Sequence, residues 1–138
     1  MTWRFGAVGV LAAIAVAGSA TAASATPATG VSGVILAQYT FGGIDYILRE
    51  ITIAPGGSTG WHYHDGTLYA AVRSGHLSHY DSTCGSDGEH PTGDLFTERP
   101  NYIHIGRNEA ADPLILDVLY VLPTGSPLAE DAPAPGCS

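Results

Sequence analysis

GGSTGWHYHDGTLYAAVRSG, residues 56–75, sets a His-x-His pair between two glycine-marked turns. On an extended chain successive side chains alternate faces, so residues two apart point the same way. His62 and His64 would then project to one side with their backbones roughly 7 Å apart, close enough for two imidazoles to converge on one metal ion. Two ordinary strand histidines held by hydrogen bonds would give the same pattern. The pair alone leaves both possibilities open.

Outward from this pair, nearly every segment has strand character. Val34–Tyr39 is a short apolar run, Phe41-Gly42-Gly43 a turn, and Ile44–Ile53 a stretch rich in β-branched and aromatic residues. Pro55-Gly56-Gly57 and Gly60 bracket a tight turn before the histidines. Thr67–Arg73 and His76–Tyr80 flank the hairpin signal Ser74-Gly75. Residues 81–93, DSTCGSDGEHPTG, have the composition of a polar loop. Asp94–Glu98 and Tyr102–Ile105 are short strands, and Leu114–Leu122 is apolar enough to be buried on both faces. About eight short strands with no helical period predict one all-β domain, a barrel or sandwich.

The two ends have a different composition. Arg4 and the uncharged run FGAVGVLAAIAVAGSA, followed by small-residue sites ending at Ala22 and Ala25, have the three-part pattern of a secretory signal peptide over 1–25. Export to the cell envelope or the extracellular space is the expectation. Residues 26–33 are expected as a linker, 34–122 as the barrel and 123–138 as a Pro- and Ala-rich tail. After loss of Arg4, four arginines face thirteen acids, a net charge of −9. Such a chain offers no electrostatic footprint for nucleic acid or, once the leader is gone, for an anionic membrane. Cys84 and Cys137 are an even pair in an oxidising compartment, so one disulfide is expected. Closing a loop of this length would stabilise the fold by about 4 kcal/mol.

A second candidate segment is GDLFTERPNYIHIGRN, residues 93–108. With it the chain resembles the cupin superfamily, small β-barrels of the jelly-roll kind, over essentially all of residues 34–122. Gly56, His62, His64 and Gly75 stand at the spacings of the first cupin signature, and Gly93, His104 and Asn108 at those of the second. The likeness is nearest to small secreted bacterial cupins with a TGWHxH signature. Two departures stand out. The glutamate position of the first signature is Leu68, and the proline and turn glycine of the second are Arg99 and Asn101, with Pro100 shifted by one. Asparagine tolerates the left-handed conformation better than most residues, so the turn should survive.

The resemblance implies a divalent metal ion held by His62, His64 and His104, with the usual carboxylate missing and Leu68 lining the pocket beside it. Three neutral imidazoles can bind Mn, Zn, Ni, Cu or Fe facially and leave positions open for a small-molecule ligand or substrate. A bare three-histidine site would be more positive than usual and suit an anionic ligand; equally, the lost glutamate would fit a decayed site in a non-catalytic barrel. Glu98 and Asp65 are the nearby carboxylates, but Asp65 directly follows His64 and should face away. Tyr102, two before His104, should share its inward face as a hydrogen-bond donor or a packed core residue. His76 and His79 lie on opposite faces, so at most one looks inward, with a solvated strand residue the simpler expectation. His90 is expected at the surface and Asn108 in a turn. Trp61 and Tyr63 should face away from the site, covering the barrel or a homodimer contact.

Overall fold

The computed structural model describes residues 26–136. The expected leader over 1–25 and Cys137 lie outside the described residues; no cysteine within them is free. Ten strands and no helix are present among the described residues. They are β1 (Thr29–Phe41), β2 (Ile44–Ser58), β3 (His62–Tyr63), β4 (Thr67–Ser74), β5 (His76–Asp81), β6 (Ser86–Pro91), β7 (Leu95–Glu98), β8 (His104–Arg107), β9 (Leu114–Pro123) and β10 (Glu130–Asp131).

All pairings are antiparallel, and the sheet folds over itself in two halves. One half runs β1–β2–β9–β4–β7, the other β10–β3–β8–β5–β6. They join where the far end of β2 meets β8, Ser58 opposite Arg107. The expected all-β jelly-roll barrel is therefore what forms. Period-two alternation aims Ile47, Ile51 and Ile53 of β2 inward, with Leu68, Ala70 and Val72 of β4 and Leu114, Leu116, Val118, Tyr120 and Leu122 of β9. Leu77 reaches the same core from the opposite half. A smaller cluster, Trp61, Ile105 and Ala132, packs on the outer side of the second half.

Several elements differ from the expectation. The polar loop over 81–93 contains β6, a hairpin partner of β5 whose Gly88 stands opposite His79. Polarity hid it because β6 lies at an edge with most of its residues at least partly exposed. β1 begins at Thr29, inside the expected linker, and is exposed along most of its length. β2 continues through Pro55-Gly56-Gly57 where a tight turn was expected. β9 alternates buried and half-buried residues, so only one face is fully covered, because no helix layer packs on its outside. Trp61 does face away from the histidines, but β10 and Ala132 cover it, so it is not free for a homodimer contact. The exposed apolar residues are on β1, among them Val34, Tyr39 and Phe41.

Two residues of the second signature keep structural roles. Asn101 turns the chain at φ 58°, and its N–H donates to the His64 carbonyl at 2.9 Å. Asn108 is buried and donates to the carbonyls of Ile53 at 2.9 Å and Asp112 at 2.8 Å, while its own oxygen accepts from Ala110. Asn108→Ala leaves buried carbonyls unpaired and should lower the urea-unfolding stability by about 1–3 kcal/mol. An unchanged midpoint would remove this clamp.

Candidate metal centre

The histidines are brought together by register. His62 on β3 pairs directly with His104 on β8, so both point to the same face, and His64 follows two residues after His62. The ring centroids of His62 and His104 are 4.2 Å apart, those of His62 and His64 4.8 Å, and those of His64 and His104 5.3 Å. One nitrogen from each ring lies within 4.8 Å of the others, and all three residues are buried. The long-range convergence implied by the two signatures is present.

Hydrogen bonding sets which nitrogen faces inward. Nδ1 of His62 lies 2.9 Å from the Gly60 carbonyl, that of His64 2.7 Å from Leu128, and that of His104 2.8 Å from Tyr102. A carbonyl only accepts, so each Nδ1 carries the proton and donates it. In the neutral rings the three Nε2 atoms therefore carry the lone pairs. Burial, with His104 and His64 close by, pushes the His62 pKa down to about 3, keeping that ring neutral.

The expectation of a missing carboxylate is corrected by the sheet register. Leu68 of β4 stands directly opposite Glu98 of β7, so the two side chains share one face. Cross-strand neighbours have Cβ atoms about 5 Å apart, within the reach of a glutamate side chain. Glu98 thus brings its carboxylate from the adjacent strand into the site beside Leu68. Its Oε2 lies 3.2 Å from His64 Nε2 and 3.3 Å from His104 Nε2. Those two buried nitrogens have no hydrogen-bond partner. Lone pairs facing a carboxylate oxygen repel unless a cation lies among them. Two ligands each about 2.1 Å from one ion stand about 3.0–3.4 Å apart at ordinary coordination angles, so the observed spacings fit a shared metal. Asp65 belongs to neither group of potential ligands.

His79 corrects a second expectation. It is buried, not solvated, and stacks on His104 with centroids 4.7 Å apart. Its Nδ1 meets Asp87 Oδ1 at 2.5 Å and its Nε2 meets Glu98 Oε1 at 3.2 Å. Burial works against its charge, yet Glu98 and Asp87 outweigh burial and raise its pKa. Held as a two-sided donor, His79 orients the Glu98 carboxylate and has no lone pair for a metal, although it also belongs to a potential ligand group with Glu98 and His104. Burial likewise opposes the Glu98 charge, but the imidazoles of His104, His64 and His79, whenever they carry a proton toward it, hold its carboxyl well below the usual range.

Tyr102 stacks on His104 at 5.8 Å, but its hydroxyl donates to Asp87 and an Arg99 guanidinium covers its ring. It therefore supports the site from behind and is not a donor into the main cavity. His76 pairs with Glu89 at the surface, whereas His90 is largely covered, 2.7 Å from Asp94 and stacked on Phe96. One sequence signal could have placed His79 inside: Leu77, an evident core residue two positions earlier. No comparable signal marks Glu98, whose place depends on which strand pairs with β4.

The His62 shift has a pH consequence. In the metal-free protein the unfolded chain takes up a proton near the ordinary value of 6.5, which the folded state refuses until about 3. Stability contributed by His62 neutrality should therefore fall as pH drops below 6.5. His79 acts in the opposite sense: its contribution is fully present below 6.5 and fades as pH rises through its raised folded value. Urea midpoints of the metal-free protein across this window should decline on acidification, and His62→Gln should flatten the decline. An equal slope in the variant would remove His62 as the cause.

No family model matches the sequence, and no curated protein matches it. Solved structures do. A cupin-like protein from Thermotoga maritima superposes with TM-score 0.63 at 22% identity, covering 78% of this chain and 80% of its own. An uncharacterised protein with a double-stranded β-helix domain from Klebsiella pneumoniae gives 0.60 at 18%, over 74% of this chain and 84% of its own. The polyketide cyclase RemF from Streptomyces resistomycificus gives 0.60 at 17%, over 80% and 79%. At these identities the likeness is one of architecture, and the chain has the double-stranded β-helix fold of the cupin superfamily.

Proposed function

We propose that the protein binds one divalent first-row metal ion through Nε2 of His62, His64 and His104 and the Glu98 carboxylate, and uses it to bind or transform a small oxygenated molecule. The observation that carries this is the pair of orphaned, buried Nε2 atoms of His64 and His104 facing one carboxylate oxygen. A set of three imidazoles and one carboxylate suits Mn, Zn, Ni, Cu or Fe, with Fe(II) the hardest to keep reduced outside a cell. Such an ion, once bound, polarises a ligand oxygen as a Lewis acid.

The chain's own residues prepare that chemistry. The Gly60, Leu128 and Tyr102 carbonyls hold the three rings in one tautomer, a supporting arrangement typical of metal-ligating histidines. His79 and Asp87 fix the Glu98 carboxylate. A cavity of about 320 Å³ opens beside the site, lined by Leu68, Leu77, Leu116 and Val118. Its size and apolar walls fit a small organic molecule and exclude much of the water. That a polyketide cyclase has the same fold shows that the fold can host small-molecule chemistry; the assignment here stands on the site.

Elemental analysis after loading should find about one ion per chain and almost none in His62→Ala/His104→Ala. Glu98→Gln should weaken binding, whereas Asp65→Asn should not. Metal-free wild type after incubation with each candidate ion would overturn the proposal.

The same reading places the protein outside the cytoplasm, on the strength of the leader-like composition of residues 1–25, with Cys84 and Cys137 joined. The secreted protein should begin after Ala22 or Ala25 and weigh two hydrogen atoms less than its reduced form. A retained leader or two free thiols would remove that part.

A further inference from the structure

Arg49 sits where the strand pattern calls for an apolar residue. Its neighbours two positions away on β2, Ile47 and Ile51, are core residues, and Arg49 stands opposite Val118, also buried. Alternation therefore turns its side chain into the barrel, where it lines the same cavity as His62, His64 and Glu98. Among the described residues the other three arginines have evident partners: Arg73 lies on Glu50 and Asp117, Arg107 near Glu109, and Arg99 over Tyr102. Arg49 has no carboxylate partner there, in a chain with thirteen acids.

Its surroundings accommodate it without neutralising it. The guanidinium is close enough to Tyr120 to oppose the burial that raises that phenol's pKa, and the Tyr120 ring lies 5.8 Å from that of His64. It also lies across Gly33 of β1, so closely that a Cβ there would come within 2.3 Å of Nε and Nη2. Arg49 is half-buried, so its guanidinium is partly withdrawn from water without a counter-charge, and a planar fork is suited to gripping a carboxylate in two places. Glu98 cannot serve, because it is engaged by His79 and faces His64 and His104. Asp131, the other acid of the cavity, is exposed at its rim.

We infer that Arg49, with Tyr120, is the recognition site for the carboxylate of a small organic acid, whose remaining oxygens would face the histidine cluster one tyrosine ring away. This names the ligand class for the proposed metal site and rests on that proposal for the oxygen end only. The carboxylate end depends on Arg49 alone. One guanidinium matches one negative charge. In the metal-free protein a phosphate dianion would need a second free cation or a helix N-terminus, but His79, the other cationic side chain lining the cavity, is engaged by Asp87 and Glu98, and no helix is present among the described residues. The positive charge expected of a site lacking its carboxylate is thus supplied from a different strand.

Calorimetry with acetate, pyruvate and benzoate, their three neutral amides and inorganic phosphate, on metal-loaded and metal-free protein, tests this. At least one carboxylate should bind about tenfold to hundredfold more tightly than its amide, the range of a charge-assisted pair. The preference should persist in part without metal, which separates this inference from failure of the metal proposal. Arg49→Gln should abolish it and Arg49→Lys retain some. Gly33→Ala, which leaves the charge but displaces the flexible end of the side chain, should weaken it with melting temperature and metal content unchanged. Equal binding of acids and amides by wild type, preference retained in Arg49→Gln, or phosphate binding as tightly as the best carboxylate would each overturn it.

Discussion

Three imidazoles, each tied by its Nδ1–H to a backbone carbonyl, cannot turn their other nitrogens away from one another. Glu98 brings an anionic oxygen into the same small space. Such an arrangement in water would relax by rotation and hydration. Inside the barrel it is held by β3, β7, β8 and the chain beyond β9, and desolvation strengthens every mutual repulsion. The fold imposes a demand for positive charge at one point, and the rest of the site follows from that demand.

Opposite halves of the sheet share the work. The second half contributes the histidines, since β3, β5 and β8 lie side by side, and His62, His79 and His104 share their inward face. The first half contributes Glu98, Tyr120 and Arg49 from β7, β9 and β2. The cavity between them is walled by aliphatic residues of both halves, so the polar groups converge where water is scarce. Charge alternates from Asp87 through His79 to Glu98, and beyond the lone-pair cluster, one tyrosine away, lies the unopposed guanidinium.

Much of this architecture was legible in the sequence because it is encoded by spacing. Two residues apart means one face, which joins His62 to His64; the glycine and asparagine positions bracket a turn that delivers His104. Asn101 carries the turn in a left-handed conformation, as its side chain permits. Glu98 was one of two carboxylates weighed, but nothing local ranked it first, because its place depends on β7 pairing with β4 in a register that sets it against Leu68. Leucine at the usual glutamate position therefore looked like loss of the carboxylate, although Glu98 reaches the same face from across the ladder. Edge strand β6 escaped notice because polar residues suit both edges and loops, and with it went the placement of Asp87 and the burial of His79. Arg49 was passed over inside a strand otherwise typical of a core.

One further consequence concerns the end of the chain. Leu128, beyond the last long strand, supplies the oxygen that fixes the His64 ring, and the short β10 that follows zips onto β3 beside His62 and covers Trp61. The terminal segment is thus a clasp whose fastening and the aim of one imidazole are a single equilibrium. By reciprocity, any ligand that draws His64 Nε2 inward tightens the clasp, and loosening the clasp frees that ring to turn.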